Sequence, residues 1–256
     1  MCRLAAWIGA PAPLEKIVID PTHSLLTQSQ DAAEAKLSVN GDGFGIAWYQ
    51  DGEAQPGLYR DVLPAWSDGN LPSLCRMIRS KVFLAHVRAS TGAETSRLNC
   101  HPFSYGRWSF MHNGQIGGFS RMRRKLEASL SDALYERRRG STDSELLFLM
   151  MVNEGLERDP NGAVLRVLDR IRAERVSGDK PDRITCVMSD GEKIYALRHA
   201  SDGRAPTLYY KEGATGTVLA SEPLEAGEPD WRAFECDALS VVTKNGAQVE
   251  HLRACA

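Results

Sequence analysis

A cysteine stands second in the chain, in the opening "MCRLAAWIGA". Methionine aminopeptidases clear a start methionine when the next residue is small, so Cys2 can become residue one. That residue would carry a thiol and an α-amine of ordinary pKa ~8. A base near neutrality beside its own nucleophile suits covalent acyl transfer and needs no separate histidine. The other cysteines, Cys75, Cys100, Cys186, Cys236 and Cys255, have no such amine. The structural alternative is that Cys2 is a small apolar residue opening a buried strand, Cys2–Gly9.

Acyl transfer also needs donors aimed at the oxygen that becomes negative. "FMHNGQI" offers the Asn113 side chain and the Gly114 amide. Asn-Gly is equally the pair favoured in a tight hairpin turn. Here, however, "QIGGF" follows, and its glycine pair interrupts any regular return strand, so both readings stand.

Arg88 ends the apolar run "FLAHVRAST", where a guanidinium must find an anion or water. It could close an internal salt bridge or grip a substrate carboxylate through two hydrogen bonds. In "GSTDSELL" Asp143 falls in the first turn of a helix, where the dipole stabilises a carboxylate; it could also receive a substrate ammonium. "NCHPF" places His101 ahead of a proline, in a structural or a binding role.

The elements that must position these residues follow from periodicity. Strand-like runs cover Cys2–Gly9, Gly43–Tyr49, Val82–Ala89, Trp108–His112, Ile184–Ser189, Ile194–Arg198, Leu208–Lys211, Thr217–Ala220, Leu239–Thr243 and Gln248–Leu252. Asp190-Gly191 and Asn245-Gly246 read as hairpin turns. A helix begins at a capping box of Thr142 and Glu145. A second starts at Pro160, carries Val164, Leu165, Leu168 and Ile171 on one face, and stops before Gly178. A third is expected over Phe119–Arg139, with Met122, Leu126, Leu130 and Leu134 in one stripe and its "RMRRK" and "ERRR" runs in solvent. Strands, then helices, then strands again indicate an α+β fold with largely antiparallel sheets.

Composition narrows the function classes. The 256 residues are 43% hydrophobic and 25% charged, a length that fits one large domain or two small ones with a proper core, and the net charge of −2 argues against a nucleic-acid partner. The six cysteines form no C-x-x-C pair, so neither a zinc site nor a redox motif is indicated, and a reducing, cytoplasmic setting fits. No apolar run approaches the ~20 residues of a membrane span. The start resembles a miniature signal peptide, but Pro11 sits inside its cleavage triplet. In "GDGFGI" Ile46 takes the third glycine position of a dinucleotide fingerprint, so that reading fails.

Taken in order, "MC", "AHVRAST", "NCHPF", "HNG" and "STDSE" resemble the class II glutamine amidotransferase domain, one of the N-terminal-nucleophile hydrolases. "MCRLAAWIG", "HSLLTQS", "NGDGFGIAWY" and "ASEPL" resemble its stand-alone branch, which includes the ergothioneine-pathway γ-glutamyl hydrolases. The resemblance implies a four-layer αββα sandwich of two mainly antiparallel sheets, as a single domain over 2–256 after loss of Met1. It implies Cys2 as nucleophile, its α-amine as base, and Asn113 and Gly114 as oxyanion donors. Arg88, with Thr91 and His101, would hold the α-carboxylate of a glutamyl group, and Asp143 its ammonium. No metal or organic cofactor is implied. Ala89 and Gly92 depart from the tryptophan and histidine of relatives that carry a synthase domain, and Ser120–Arg139 has no role assigned. The expected activity is hydrolysis of the γ-glutamyl amide of glutamine or of a γ-glutamyl compound. The alternatives are a glutaminase delivering ammonia to a separate synthase chain, and a non-catalytic subunit that senses glutamine.

Overall fold

Along strand β1 (Arg3–Pro13), Leu4, Ala6 and Ile8 point one way and Ala5 and Trp7 the other, and all five are buried. A strand covered on both faces has to lie inside a layered fold. In the computed structural model, which describes residues 2–34, 38–90, 94–225 and 227–251, β1 lies inside a seven-stranded sheet. Across that sheet run β11 (Arg232–Ala233), β9 (Tyr209–Gly213), β10 (Gly216–Ala220), β1, β4 (Arg79–Val87), β2 (Phe44–Trp48) and β3 (Gly57–Asp61). A six-stranded sheet runs β13 (Gly246–His251), β12 (Ala238–Thr243), β8 (Ile194–Ala200), β7 (Arg183–Ser189), β6 (Trp108–Gln115) and β5 (Phe103–Tyr105). The strand pairings of both sheets are antiparallel.

Three apolar clusters separate four layers. Leu4, Ala6, Leu84, Met111, Val187 and Leu219 fill the space between the sheets. Helices α1 (Glu15–Val18), α2 (Leu25–Gln30) and α3 (Leu71–Met77) cover the outer face of the larger sheet through Leu14, Ile17, Leu25 and Leu71. Helices α4 (Phe119–Glu127), α5 (Asp132–Arg137), α6 (Asp143–Asn153) and α7 (Pro160–Glu174) cover the smaller sheet. The result is the expected αββα sandwich.

The helix expected over Phe119–Arg139 is two helices. Ser129 Oγ donates to the Leu126 carbonyl at 2.7 Å and Ser131 N donates to Asn153 Oδ1 at 3.0 Å, so local polar groups take over the backbone partners that would continue α4. The stripe survives the break: Met122, Leu126, Leu130 and Leu134 are all buried. The charge runs are only partly solvated. Lys125 pairs with Glu174 at the surface and the exposed Arg121 reaches a covered Asp179 carboxylate, whereas the Arg138 side chain is itself almost fully covered and pairs with Glu127.

Candidate active site

Cys2 directly precedes β1 and shares the inward face of Leu4 and Ala6 by alternation. β1 pairs with β4 on one side, Arg3 opposite Val87, and with β10 on the other, Ala5 opposite Ala220. The thiol therefore sits at the end of an interior strand. The Ala89 amide donates to Cys2 Sγ at 3.4 Å, and Sγ lies 3.6 Å from the Ala89 carbonyl. Burial pushes the thiol above its ordinary pKa, outweighing the Ala89 hydrogen bond and the nearby Arg88 and Arg3 charges. A thiol held up in this way needs a base before it can attack.

Asn113 lies on β6 on the same face as Met111, turned toward the larger sheet. β1 and β4 both approach β6 across the interior. Asn113 is fully buried, yet neither Oδ1 nor Nδ2 has a hydrogen-bond partner among the described residues. Leaving such an amide unpaired costs about 1–3 kcal/mol, so the position points to a ligand group. Asn113-Gly114 is not a turn: it continues in register with Thr185 and Ile184 of β7. Gly114 has φ +142, and a Cβ there would overlap the Arg183 carbonyl oxygen, so the strand requires glycine at this point.

After Gln115 the chain leaves the sheet as the glycine pair predicts. Gly117 N donates to Asp182 Oδ1 at 2.7 Å, and Ile116 N donates to Asp143 Oδ2 at 2.9 Å. Asp143 is the first residue of α6, whose N-cap Thr142 accepts from Glu145 N at 3.2 Å. The capping box is half made, because the Glu145 carboxylate turns instead to Arg139 N and Gly140 N. Asp143 is half-buried. Its Oδ1 lies 3.3 Å from Ser144 Oγ, and Ser144 in turn bonds His112 Nδ1 at 2.9 Å. The acidic group and the Asn113-Gly114 strand are thus tied together.

Arg88 is buried just beyond β4. Its guanidinium donates to the Asp42 carbonyl at 3.2 Å, to Ser90 Oγ at 3.2 Å and to the Glu94 carbonyl at 3.5 Å. Asp42 Oδ2 accepts from Ser90 N at 2.7 Å, and Gly43 O accepts from Arg88 N at 2.8 Å. "GDGFGI" is therefore a brace for the arginine segment, a role its resemblance to a nucleotide loop had hidden. Thr91 and Met1 lie outside the described residues. His101, followed by a cis peptide to Pro102, packs its ring 4.2 Å from that of His86 and against Phe103. Burial draws both imidazoles down, His86 to about 3 and His101 well below its usual value. Both rings are accordingly neutral at physiological pH.

Cys2, Arg88, Asn113, Gly114 and Asp143 thus stand on segments that the sandwich brings together. Sequence reasoning missed Asp42, Ser144, Asp182 and the ion pair between Arg3 and Glu222. "ASEPL" was the signal for the last, although nothing local announces its partner.

The family described as glutamine amidotransferases class-II matches residues 15–210. The probable glutamine amidotransferase DUG3 of Saccharomyces cerevisiae is 30% identical, across 95% of this chain and 82% of that protein. The gamma-glutamyl-hercynylcysteine sulfoxide hydrolase of Mycolicibacterium smegmatis is 29% identical, across 90% of this chain and 91% of its own. A solved glutamine aminotransferase class-II domain protein from Silicibacter pomeroyi has a TM-score of 0.76 at 37% identity, across 98% of this chain and 100% of that one.

Proposed function

The chain belongs to the class II glutamine amidotransferases, and from that premise we propose that it hydrolyses a γ-glutamyl amide through a thioester at Cys2. With Met1 removed, the Cys2 α-amine takes the thiol proton as Sγ attacks the γ-carbonyl carbon. The oxygen that becomes negative is met by Asn113 Nδ2 and the Gly114 amide. The C–N bond breaks, and the departing amine takes the proton back from the Cys2 ammonium. Water, deprotonated by the Cys2 α-amine, then attacks the thioester; the C–S bond breaks, glutamate leaves, and the thiolate recovers its proton from the Cys2 ammonium. Arg88, together with Thr91 and His101, holds the α-carboxylate, and Asp143 holds the α-ammonium. A zwitterion fixed at both ends presents its γ-amide to the thiol in one orientation, which is a large part of the rate.

The observation that carries this reading is the buried Asn113 amide, both of whose polar atoms are unpaired among the described residues. A purely structural asparagine would have found partners. The test is intact mass spectrometry before and after 6-diazo-5-oxo-norleucine, a glutamine analogue that alkylates such nucleophiles. A processed wild-type chain should gain one adduct, and Cys2→Ala none. An adduct that persists in Cys2→Ala, or no adduct on the processed wild type, would count against the mechanism.

For the leaving group we favour a γ-glutamyl compound larger than glutamine, in line with the hydrolase relative that aligns along nearly all of its own length. The second reading, ammonia delivered to a separate synthase, draws on the relative named a probable glutamine amidotransferase. Rates on glutamine and on γ-glutamyl thiol compounds in one assay separate the two, and equal rates on all would sink both specific versions. Turnover of either kind removes the non-catalytic alternative. A free thiol nucleophile is readily kept reduced in the cytoplasm, and that is the setting we propose; among the described residues no helix is long and apolar enough to cross a membrane.

A further inference from the structure

Arg3 and Glu222 are both almost wholly withdrawn from solvent and face each other at 2.8 Å. Burying two charges costs several kcal/mol per ion, and an apolar pair of similar volume would hold the strands together at least as well. What an apolar pair could not do is reach the backbone of residue 2. Arg3 Nε donates to the Cys2 carbonyl at 2.7 Å while its NH1 rests on Glu222 Oε1. Glu222 is itself fixed by Ala33 N and Glu34 N, both at 2.9 Å, and by His23 Nε2 at 2.7 Å. One residue along, Leu4 N donates to Ser221 Oγ and Ser221 N donates to the Leu4 carbonyl.

We infer that the Arg3–Glu222 pair positions the nucleophile and its base by holding the Cys2 carbonyl. The inference rests on Cys2 acting as an N-terminal residue. Once residue 1 is gone, Cys2 has a peptide neighbour on one side only. Its amine then swings about the Cα–C bond and its thiol about the Cα–Cβ bond. The peptide plane that carries the Cys2 carbonyl is the base from which amine and thiol both hang, so pinning its oxygen fixes that base and with it how the two groups approach the Ala89 amide that contacts Sγ. Arg3 and Glu222 act through Cys2 and are positioning residues, not catalytic ones. Their signature is a loss of limiting rate without a loss of substrate affinity.

The test uses Arg3→Lys and Glu222→Gln, each prepared with Cys2 as the first residue and checked for folding by circular dichroism. Lysine keeps the charge and can pair with Glu222, but it lacks the Nε–H that holds the Cys2 carbonyl in the fixed geometry of the guanidinium. Two readouts are followed by intact mass: saturation kinetics of 6-diazo-5-oxo-norleucine, and alkylation by iodoacetamide, which needs the activated thiol but no glutamyl pocket. We expect both variants to lower the limiting rate with the analogue at least tenfold, with its half-saturating concentration within twofold of wild type, and to slow iodoacetamide by a similar factor. Folded variants that react at the wild-type limiting rate overturn the inference, and so does a change in half-saturation alone. Failure of both variants to fold also overturns it, by making the pair a structural strut. If the wild type ignores the analogue but reacts with iodoacetamide, the γ-glutamyl reading falls and the iodoacetamide ratios alone decide the positioning role.

Discussion

The chain contains the dipeptide Asn-Gly four times, and two of the copies, Asn113-Gly114 and Asn245-Gly246, have opposite fates. Asn245-Gly246 does what the pair prefers locally, turning β12 into β13 with Thr243 opposite Gly246 and the Asn245 side chain in solvent. Asn113-Gly114 runs on through β6, paired residue for residue with β7, and its asparagine is wholly buried. Both glycines have positive φ, +142 at Gly114 and +115 at Gly246, so the backbone latitude of glycine is used in both places. The surroundings differ. At the hairpin nothing opposes the turn, whereas at β6 the neighbouring strand supplies a full ladder, and Asp143 and Asp182 catch the chain beyond it. Tertiary context overrides a local preference here, and the place where it does so is the proposed oxyanion site.

This contrast can be broken first at the glycines. A Cβ at Gly114 would overlap the Arg183 backbone, which cannot retreat without parting the strands; at Gly246 it would meet only the end of the Glu212 side chain. Gly114→Ala should cost about 3 kcal/mol and lower the thermal midpoint by about 10 °C, against about 1 kcal/mol and 3 °C for Gly246→Ala. Equal shifts in a melting comparison would show that the two sites are not different in kind. The asparagines come next. Asn113→Ala should lower the limiting rate of thioester chemistry by about a hundredfold, the cost of one oxyanion donor, while Asn245→Ala stays within twofold. A fully active, folded Asn113→Ala protein would remove the oxyanion assignment.

Acid should separate the regions as well, because the larger sheet's contribution to this site includes the buried His86. Its folded pKa is pulled down to about 3, so between there and the unfolded value of ~6.5 the unfolded chain binds the extra proton. The stability it contributes is complete above ~6.5 and is lost as pH falls, amounting to about 2 kcal/mol at pH 5. Melting at pH 7.5 and pH 5 should show this loss in the wild type and a smaller one in His86→Gln; identical losses would exclude His86 as the source. The smallest effect is expected at Asp143. Asn at this position can still accept from Ile116 N but carries no charge. Asp143→Asn should therefore raise KM about tenfold, roughly 1.4 kcal/mol, and leave kcat near wild type. A fall in kcat alone would make Asp143 a support of the strand and not the ammonium partner.

What could be read from the sequence was mostly what one face or one terminus decides. The interior strands announced themselves by apolar runs, and the capped starts of α6 and α7 by Thr142 and Pro160. β3 was missed because all five of its residues are half-buried and carry no alternation. β11 is two exposed residues at a sheet edge, too short for any period. The broken helix at 128–131 turned on Ser129 and Ser131 finding backbone and side-chain partners, which an apolar stripe does not register. At the site, Cys2, Arg88, Asn113 and Asp143 were legible because their chemistry is unusual for their positions. Glu222 was not, since its meaning depends on an arginine 219 residues away, and Asp42 was masked by a motif that suggested something else.

Chain ends ordinarily fray, exchanging their amide protons almost as fast as free peptide. A chain opened at Cys2 would not. Arg3 already lies against β4, by Ala5 the backbone has a strand on each side, and both flanking strands are themselves covered. Deuterium should therefore enter slowly at Ala5 and Ala6 and fast in the exposed bend at 201–204. The boundary between free amine and fully protected backbone would be only about two or three residues wide. A reactive end set in so rigid a mount can be altered only by changing what grips it, and simple extension of the chain cannot tune it by degrees.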